Sequence, residues 1–266
     1  MNKCSSYEYI NFKNGILDNI VDAVYVILLE NSDRKKSVLD QIYKYKLSKI
    51  NILQVNKYYK DCIDKSLCKQ SSNYHLLNNT INILKHANKH NYNNILIFED
   101  DFILSPEIRN KKIINDIEEF IKFNDFNLYF LGVLPILFHP VNMNTMKLIY
   151  FLTTHSIIYS KSVRNILIKK YEKDNCINGD RHIDGWYNNL SKKYMYKFPL
   201  CFQSFQNTEN RKEWDNNIKS FLIEKLNLDT KNKKILENSY RNIYYICYIV
   251  YFIIILIISK YIFRLL

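Results

Sequence analysis

Three consecutive acids, Glu99-Asp100-Asp101, follow NILIF at 94–98, the clearest buried-strand signal in the chain. Adjacent carboxylates repel one another and are stable together where solvent or a cation screens them. Hard oxygen donors of this kind suit Mn²⁺ or Mg²⁺ bridging to substrate phosphates. A divalent ion held there would neutralise a diphosphate leaving group. The competing reading is a polar strand end with a capping acid, because acids commonly follow strands. His155 and His182 have the chemistry of a third ligand, although an isolated histidine near a strand is more often structural.

The elements that must position these acids read as an alternation. A short apolar strand at 24–29 precedes Ser32, a helix cap, and a helix at 33–46. A strand at 51–55 leads through a polar loop at 56–69 to a helix capped by Ser72. The strand at 94–98 is followed by Ser105-Pro106, which opens a further helix, and then by a strand at 127–131 closed by Gly132. This β-α-β-α-β-α-β order is the signature of an α/β fold whose largely parallel sheet is flanked by helices. In such sheets ligands bind at the carboxyl ends of the strands, where the three acids stand. Beyond it, strands are expected at 148–152, 156–159 and 195–200, and helices at 160–171, 183–193 and 213–240.

Several segments together carry a family pattern: VYVILLENSDRKK (24–36), the helix opening at Tyr74-His75, ILIFEDDFIL (95–104), LYFLG (128–132), THSIIYSKSVRNIL (154–167) and HIDGWY (182–187). In order and spacing they resemble the family 25 glycosyltransferases, which include lipooligosaccharide and procollagen galactosyltransferases and relatives in large DNA viruses. The resemblance spans about 23–206. It implies a GT-A-like fold, a UDP-sugar donor, Mn²⁺ (or Mg²⁺) dependence, and inverting transfer to a hydroxyl of a glycan, protein or lipid acceptor. Carried over by position, Asp101 binds the metal, with Asp100 and His155 as further candidate ligands. Glu99 and Asp100 contact the donor or support the metal. Ile27, Leu28 and Arg34 fall where such enzymes hold the nucleotide, and His75 falls where the family has Ser-His. Tyr74 replaces that Ser, and Leu28-Leu29 replaces an Asn-Leu pair. An inverting transfer needs a base beside the acceptor hydroxyl, and Asp184 is the candidate, its competing role being a helix cap. Trp186 offers a face for a sugar ring, and Gln203 and Gln206 stand at the far edge of the expected pocket. The alternative function is a transferase fold without catalysis, acting as a membrane-bound binding or scaffold module.

The 266 residues suit one domain with appendages, and 47% hydrophobic with 24% charged residues is an ordinary globular balance. The net charge of +12 comes without four consecutive Lys or Arg, so no nucleic-acid partner is expected. A metal nuclease would need further acids or a lysine in the strand at 128–131, and the absence of GxGxxG disfavours a hydride-transferring dinucleotide enzyme. The six cysteines show no zinc spacing and are expected as free thiols, a Cys62–Cys68 bridge being the alternative on export. The run IYYICYIVYFIIILII at 243–258 is uncharged and reads as a single-pass, tail-anchored membrane helix. Basic residues before it exceed those after it, which favours a cytosolic domain over one in the secretory lumen. The expected divisions are an extension at 1–22, a transferase domain at 23–230, a basic juxtamembrane segment at 231–242 and the anchor at 243–263.

Overall fold

The computed structural model describes residues 4–58, 60–62, 71–173, 183–205 and 223–265, and side chains only as far as 260. The expectations for His182, Gln206, Cys68, Cys176 and residues 213–222 of the helix at 213–240 lie outside the described residues; within 223–240 the helix is broken by a turn at 226–229.

The chain forms β1 (Ser5–Asn11), β2 (Ala23–Leu29), α1 (Lys35–Tyr45), β3 (Ile50–Asn56), α2 (Ser72–Lys89), β4 (Asn94–Glu99) and β5 (Phe102–Leu104). A 3₁₀ turn (Pro106–Arg109) then leads to α3 (Lys111–Phe123), β6 (Leu128–Pro140), β7 (Thr145–Ser160) and α4 (Lys161–Lys173). Next come α5 (Ile183–Asn188), β8 (Lys193–Tyr196), β9 (Cys201–Gln203) and α6 (Lys233–Leu265). Seven strands make one sheet in the order β1-β3-β2-β4-β7-β6-β8, and β5 pairs with β9 separately.

The sheet is mixed, which corrects the largely parallel expectation. Only β2–β3, β2–β4 and β6–β8 run parallel, whereas β1–β3, β4–β7, β6–β7 and β7–β8 are antiparallel. The physical reason is the connection after β6: a hairpin needs only a tight turn, so β7 returns antiparallel without a crossover helix. The expected extension contributes to the domain, since β1 within it is an edge strand of the sheet, paired along its length with β3.

That pairing sets Cys4 beside the chain leaving β3, and Cys4 forms a disulfide with Cys62. The free-thiol expectation fails for these two, and the Cys62–Cys68 alternative fails with it. Cys201 and Cys247 are free.

Each face of the sheet carries its own core. On β2, Val24, Val26 and Leu28 face the side covered by α1 and α3, while Ala23 and Tyr25 face the side of α2 and α4. Local chemistry sets several helix starts. Ser71 accepts a hydrogen bond from the N–H of Tyr74 at the start of α2, and Ser105 caps the 3₁₀ turn with Pro106 in its first position. Asn110 then caps α3, so the expected single helix divides in two.

β7 is one strand where two were expected, and its middle is irregular. Gly132 pairs with Ser156 and Leu134 with Leu152, so Thr153, Thr154 and His155 bulge opposite Val133. Thr153 takes φ 72°, a left-handed value that a β-branched residue rarely adopts.

α6 is a single helix. Its stretch Lys233–Lys260 is long and apolar enough to cross a membrane. The expected boundary at 243 falls inside the domain packing: Leu236, Tyr240 and Tyr244 are buried, and the Tyr248 hydroxyl donates to the Lys197 carbonyl at 2.8 Å.

Candidate functional site

A cleft of about 500 Å³ opens at the carboxyl ends of β2 and β4. Parallel neighbours end at the same level, so the turn after β2 (Asn31 to Arg34) meets the turn after β4 (Glu99 to Asp101) across one gap. The structure brings Ile27, Arg34, His75, Glu99, Asp100, Asp101, Asp184 and Gln203 together on its walls.

The three acids have different surroundings. Asp100 is fully engaged, accepting from Arg34 Nη1 at 2.9 Å and from Ser32 Oγ at 3.0 Å. Burial works against the Arg34 charge, and Asp100 and Asp101 more than offset it. Asp101 is buried; its Oδ2 accepts from Gln203 Nε2 at 3.1 Å while its Oδ1 is buried without a partner. Burial first, and the charge of Asp100 next, push the Asp101 carboxyl up to about 7. Glu99 accepts from Thr154 Oγ1 at 3.1 Å. Burial, then the charges of Asp101 and Asp184, hold its carboxyl well above the usual carboxylate range. Asp184, in the first turn of α5, therefore belongs to the same field.

His75, on the first turn of α2, is buried in the cleft wall, and burial lowers its basicity, so it stands neutral near pH 7. Gln203 is fixed from behind: its N–H donates to the Tyr240 hydroxyl of α6 at 3.1 Å. Gly132 makes this placement possible, because a Cβ there would lie 2.0 Å from the Cys201 carbonyl oxygen of β9.

Three sequence expectations fail here. Leu28 packs in the core under α1, one residue out of phase with Ile27 and Leu29, which do line the cleft. His155 is fully buried away from the acids, with Nε2 3.3 Å from the Cys201 carbonyl oxygen. Its neighbour Thr154 reaches Glu99 instead, both residues lying in the bulge opposite Val133. Trp186 is a core residue with Lys170 Nζ 4.6 Å above its ring, and it does not line the cleft. Conversely, Ser32, Thr153, Thr154 and Asn79 line the cleft without having been singled out. Ser32 and Thr154 had a usable signal, their places in the segments VYVILLENSDRKK and THSIIYSKSVRNIL.

The donor set bears on a cation. Among the described residues no three His, Cys, Asp or Glu side chains converge closely enough to hold a metal ion, so a protein cage of Asp100, Asp101 and His155 is not formed. What is present fits a different arrangement. Two buried acids repel each other, and one carboxylate oxygen faces no hydrogen-bond donor. This suits a Mg²⁺- or Mn²⁺-like ion taken by one or two carboxylates together with substrate phosphate oxygens.

No family model and no curated protein matches this chain, so the resemblance to family 25 rests on its motifs. Two solved structures are similar at a low level. One is a glycosyltransferase involved in the glycosylation of the major capsid of PBCV-1, at 12% identity over 72% of this chain and 97% of that one, with a TM-score of 0.41. The other is A197 from STIV, at 10% identity over 71% and 87%, with a TM-score of 0.40. At such scores neither bears on the chemistry of the cleft.

Proposed function

We propose that the chain is a metal-dependent glycosyltransferase that passes a sugar, galactose or glucose, from a UDP-sugar to an acceptor hydroxyl on a glycan, protein or lipid, with inversion. The observation that carries this reading is the gathering of Arg34, His75, the triplet Glu99-Asp100-Asp101 and Asp184, from four separate stretches of sequence, around one cleft at the strand ends.

In this reading Asp101, supported by Glu99, would hold Mn²⁺ (or Mg²⁺), which would supply positive charge to a departing diphosphate. Arg34, fixed by Asp100, adds a second positive charge facing the same diphosphate. His75, kept neutral by burial, meets the donor as a hydrogen-bonding ring. Asp184 takes the proton of the acceptor hydroxyl as its oxygen attacks the sugar carbon on the face opposite the leaving UDP. A second reading, a catalytically silent transferase fold serving as a membrane-bound binding module, is favoured by the failure of Asp100 and His155 to join Asp101 in one ligand set.

The test is UDP release by the full-length chain in detergent, with and without Mn²⁺, from UDP-galactose, UDP-glucose and UDP-N-acetylglucosamine, beside Asp101→Asn. Metal-dependent release that the substitution abolishes supports transfer. A folded chain that neither releases nor binds UDP overturns it in favour of the binding module.

A further inference from the structure

The hairpin of β6 and β7 leaves an unusual number of large apolar side chains in solvent. Ile136, Leu137, Val141, Ile149 and Tyr150 are each 42% to 53% exposed, and Met143 at the turn is 85% exposed. Leu137 and Tyr150 are paired across the two strands, and Ile149 is next to Tyr150, so the exposed residues form one stretch of hairpin rather than isolated positions. Soluble surfaces rarely tolerate such a stretch, and patches of this kind mark lipid or protein contacts.

The same hairpin is the support along which α6 leaves the domain. Cys247 Sγ lies 3.0 Å from the Pro135 carbonyl oxygen, and the Phe138 ring packs edge-on against Tyr248 and stacks on Tyr251. From Pro135 to Phe138 on the strand, the contacts advance from Cys247 to Tyr251 on the helix. The two elements therefore run the same way, at about 3.3 Å per residue for the strand and about 1.5 Å for the helix. The turn is tied to the same level of the helix: the carbonyl of Asn144, beside Met143, accepts from the Lys197 N–H at 2.9 Å, and the Lys197 carbonyl accepts from the Tyr248 hydroxyl. At the level of the contacts, the outer side of the helix is already apolar and exposed, at Tyr245, Ile246, Ile249, Val250 and Phe252.

We propose that the β6–β7 hairpin is a second membrane contact, lying in the bilayer interface beside the anchor and fixing how the domain sits on the membrane. The proposal rests on the reading of α6 as a membrane anchor. A lipid surface is the occupant that fits, because the hairpin packs through Pro135 and Phe138 on the helix whose exposed apolar side only lipid hydrocarbon would cover. Aromatic Tyr150, with Lys147 two pairs further along the hairpin, has the character of an interfacial residue. Ile136 belongs both to this patch and to the cleft wall, and Ile243, at the root of the anchor, lines the same wall. The contact therefore places that side of the cleft at the bilayer surface, and acceptors borne on the membrane reach the acids without leaving it.

The test uses the full chain in nanodiscs of unlabelled or acyl-chain-brominated lipid, comparing emission added by Met143→Trp, Tyr150→Trp, Ile254→Trp on the anchor, and Phe123→Trp on exposed α3. The expected result is that bromolipid quenches most of the added emission at Ile254, Met143 and Tyr150, and none at Phe123. Quenching at Ile254 alone overturns the hairpin contact while leaving the anchor intact. Quenching at none of the four overturns both. Shielding of Met143→Trp and Tyr150→Trp from aqueous iodide without bromolipid quenching assigns the patch to a second copy or another protein, and equally overturns it. Each variant's circular dichroism spectrum must match the parent chain, and Met143→Trp and Tyr150→Trp serve as independent reporters if one fails to fold.

Discussion

The cleft has two walls built by different means. The polar wall comes from the turns after two neighbouring parallel strands, β2 and β4, and its charges are fixed by short hydrogen bonds, with Ser32 and Arg34 on Asp100 and Gln203 on Asp101. The opposite wall is apolar and assembled from remote pieces: Leu134, Ile136 and Leu152 of the hairpin, Phe205, Leu226 and Leu228 beyond β9, and Ile243 of α6. One wall carries the charge and belongs to the sheet, whereas the other depends on where α6 docks. If the proposed diphosphate donor binds the charged wall, the two walls should separate in their effects on donor and acceptor.

The sharpest separation is expected at Asp101. Asp101→Asn keeps the shape and the Gln203 contact but removes the ionisable oxygen, and turnover should fall about 10³-fold, about 4 kcal/mol of transition-state stabilisation. The same variant should melt no lower than the parent, since it relieves a buried acid of its charge. A lower melting temperature, or retained turnover, would break the distinction between a functional charge and a structural one.

Gly132→Ala tests the joint between the walls. The new Cβ cannot coexist with the Cys201 carbonyl oxygen, so β9 must shift and carry Gln203 with it. A loss of about 3 kcal/mol in denaturant unfolding is expected.

His155 gives a test through pH. Burial depresses its basicity from 6.5 to about 4. At pH above 6.5 it is neutral folded or unfolded, and its full contribution to stability is present. As pH falls through 6.5 the unfolded chain takes up the proton first, so stability is lost progressively down to about pH 4, by about 3 kcal/mol in all. His155→Gln should flatten this acid limb in pH-dependent unfolding, and an unchanged limb would mean that His155 titrates as an exposed residue does.

A smaller, qualitative prediction concerns orientation. The Cys4–Cys62 disulfide belongs in an oxidising compartment, whereas the basic residues ahead of the anchor favour the cytosol. Two stretches have the glycosylation pattern, Asn78-Asn79-Thr80 and Asn189-Leu190-Ser191; Asn78 is buried and its Oδ1 accepts from Tyr171, so only Asn189, which is exposed, can carry a glycan in the folded domain. A glycan at Asn189 in cells, removed by Asn189→Gln, would place the domain on the lumenal side. Neither a glycan nor a disulfide on non-reducing gels would place it in the cytosol.

The polar wall was legible in the sequence because its residues sit where buried strands stop, and a run such as NILIF followed by three acids marks that point directly. The sequence could not show phase within a strand buried on both faces. AVYVILL is apolar throughout, so nothing in it distinguishes Leu28, in the core, from Ile27, in the cleft. The same ambiguity misplaced His155, whose direction is set by the bulge opposite Val133 and by the register of β7 on β4. β1 escaped notice because only one of its faces is covered, and its polar residues give no apolar run; the β3 ladder and the stack of Tyr7 on His86 hold it. The apolar wall was illegible because its residues meet only after the hairpin and α6 have docked.

The most direct test of the central claim, that the wall of Arg34 and Asp101 is a metal-assisted diphosphate site, is calorimetric titration of UDP into the full-length chain with and without Mn²⁺. The account predicts binding that requires Mn²⁺, is lost in Asp101→Asn, is weakened about tenfold in Arg34→Ala, and is unchanged in Asp184→Asn, which acts on the acceptor. UDP binding that is indifferent to Mn²⁺ and to Asp101, or absent from the folded parent chain, would contradict it.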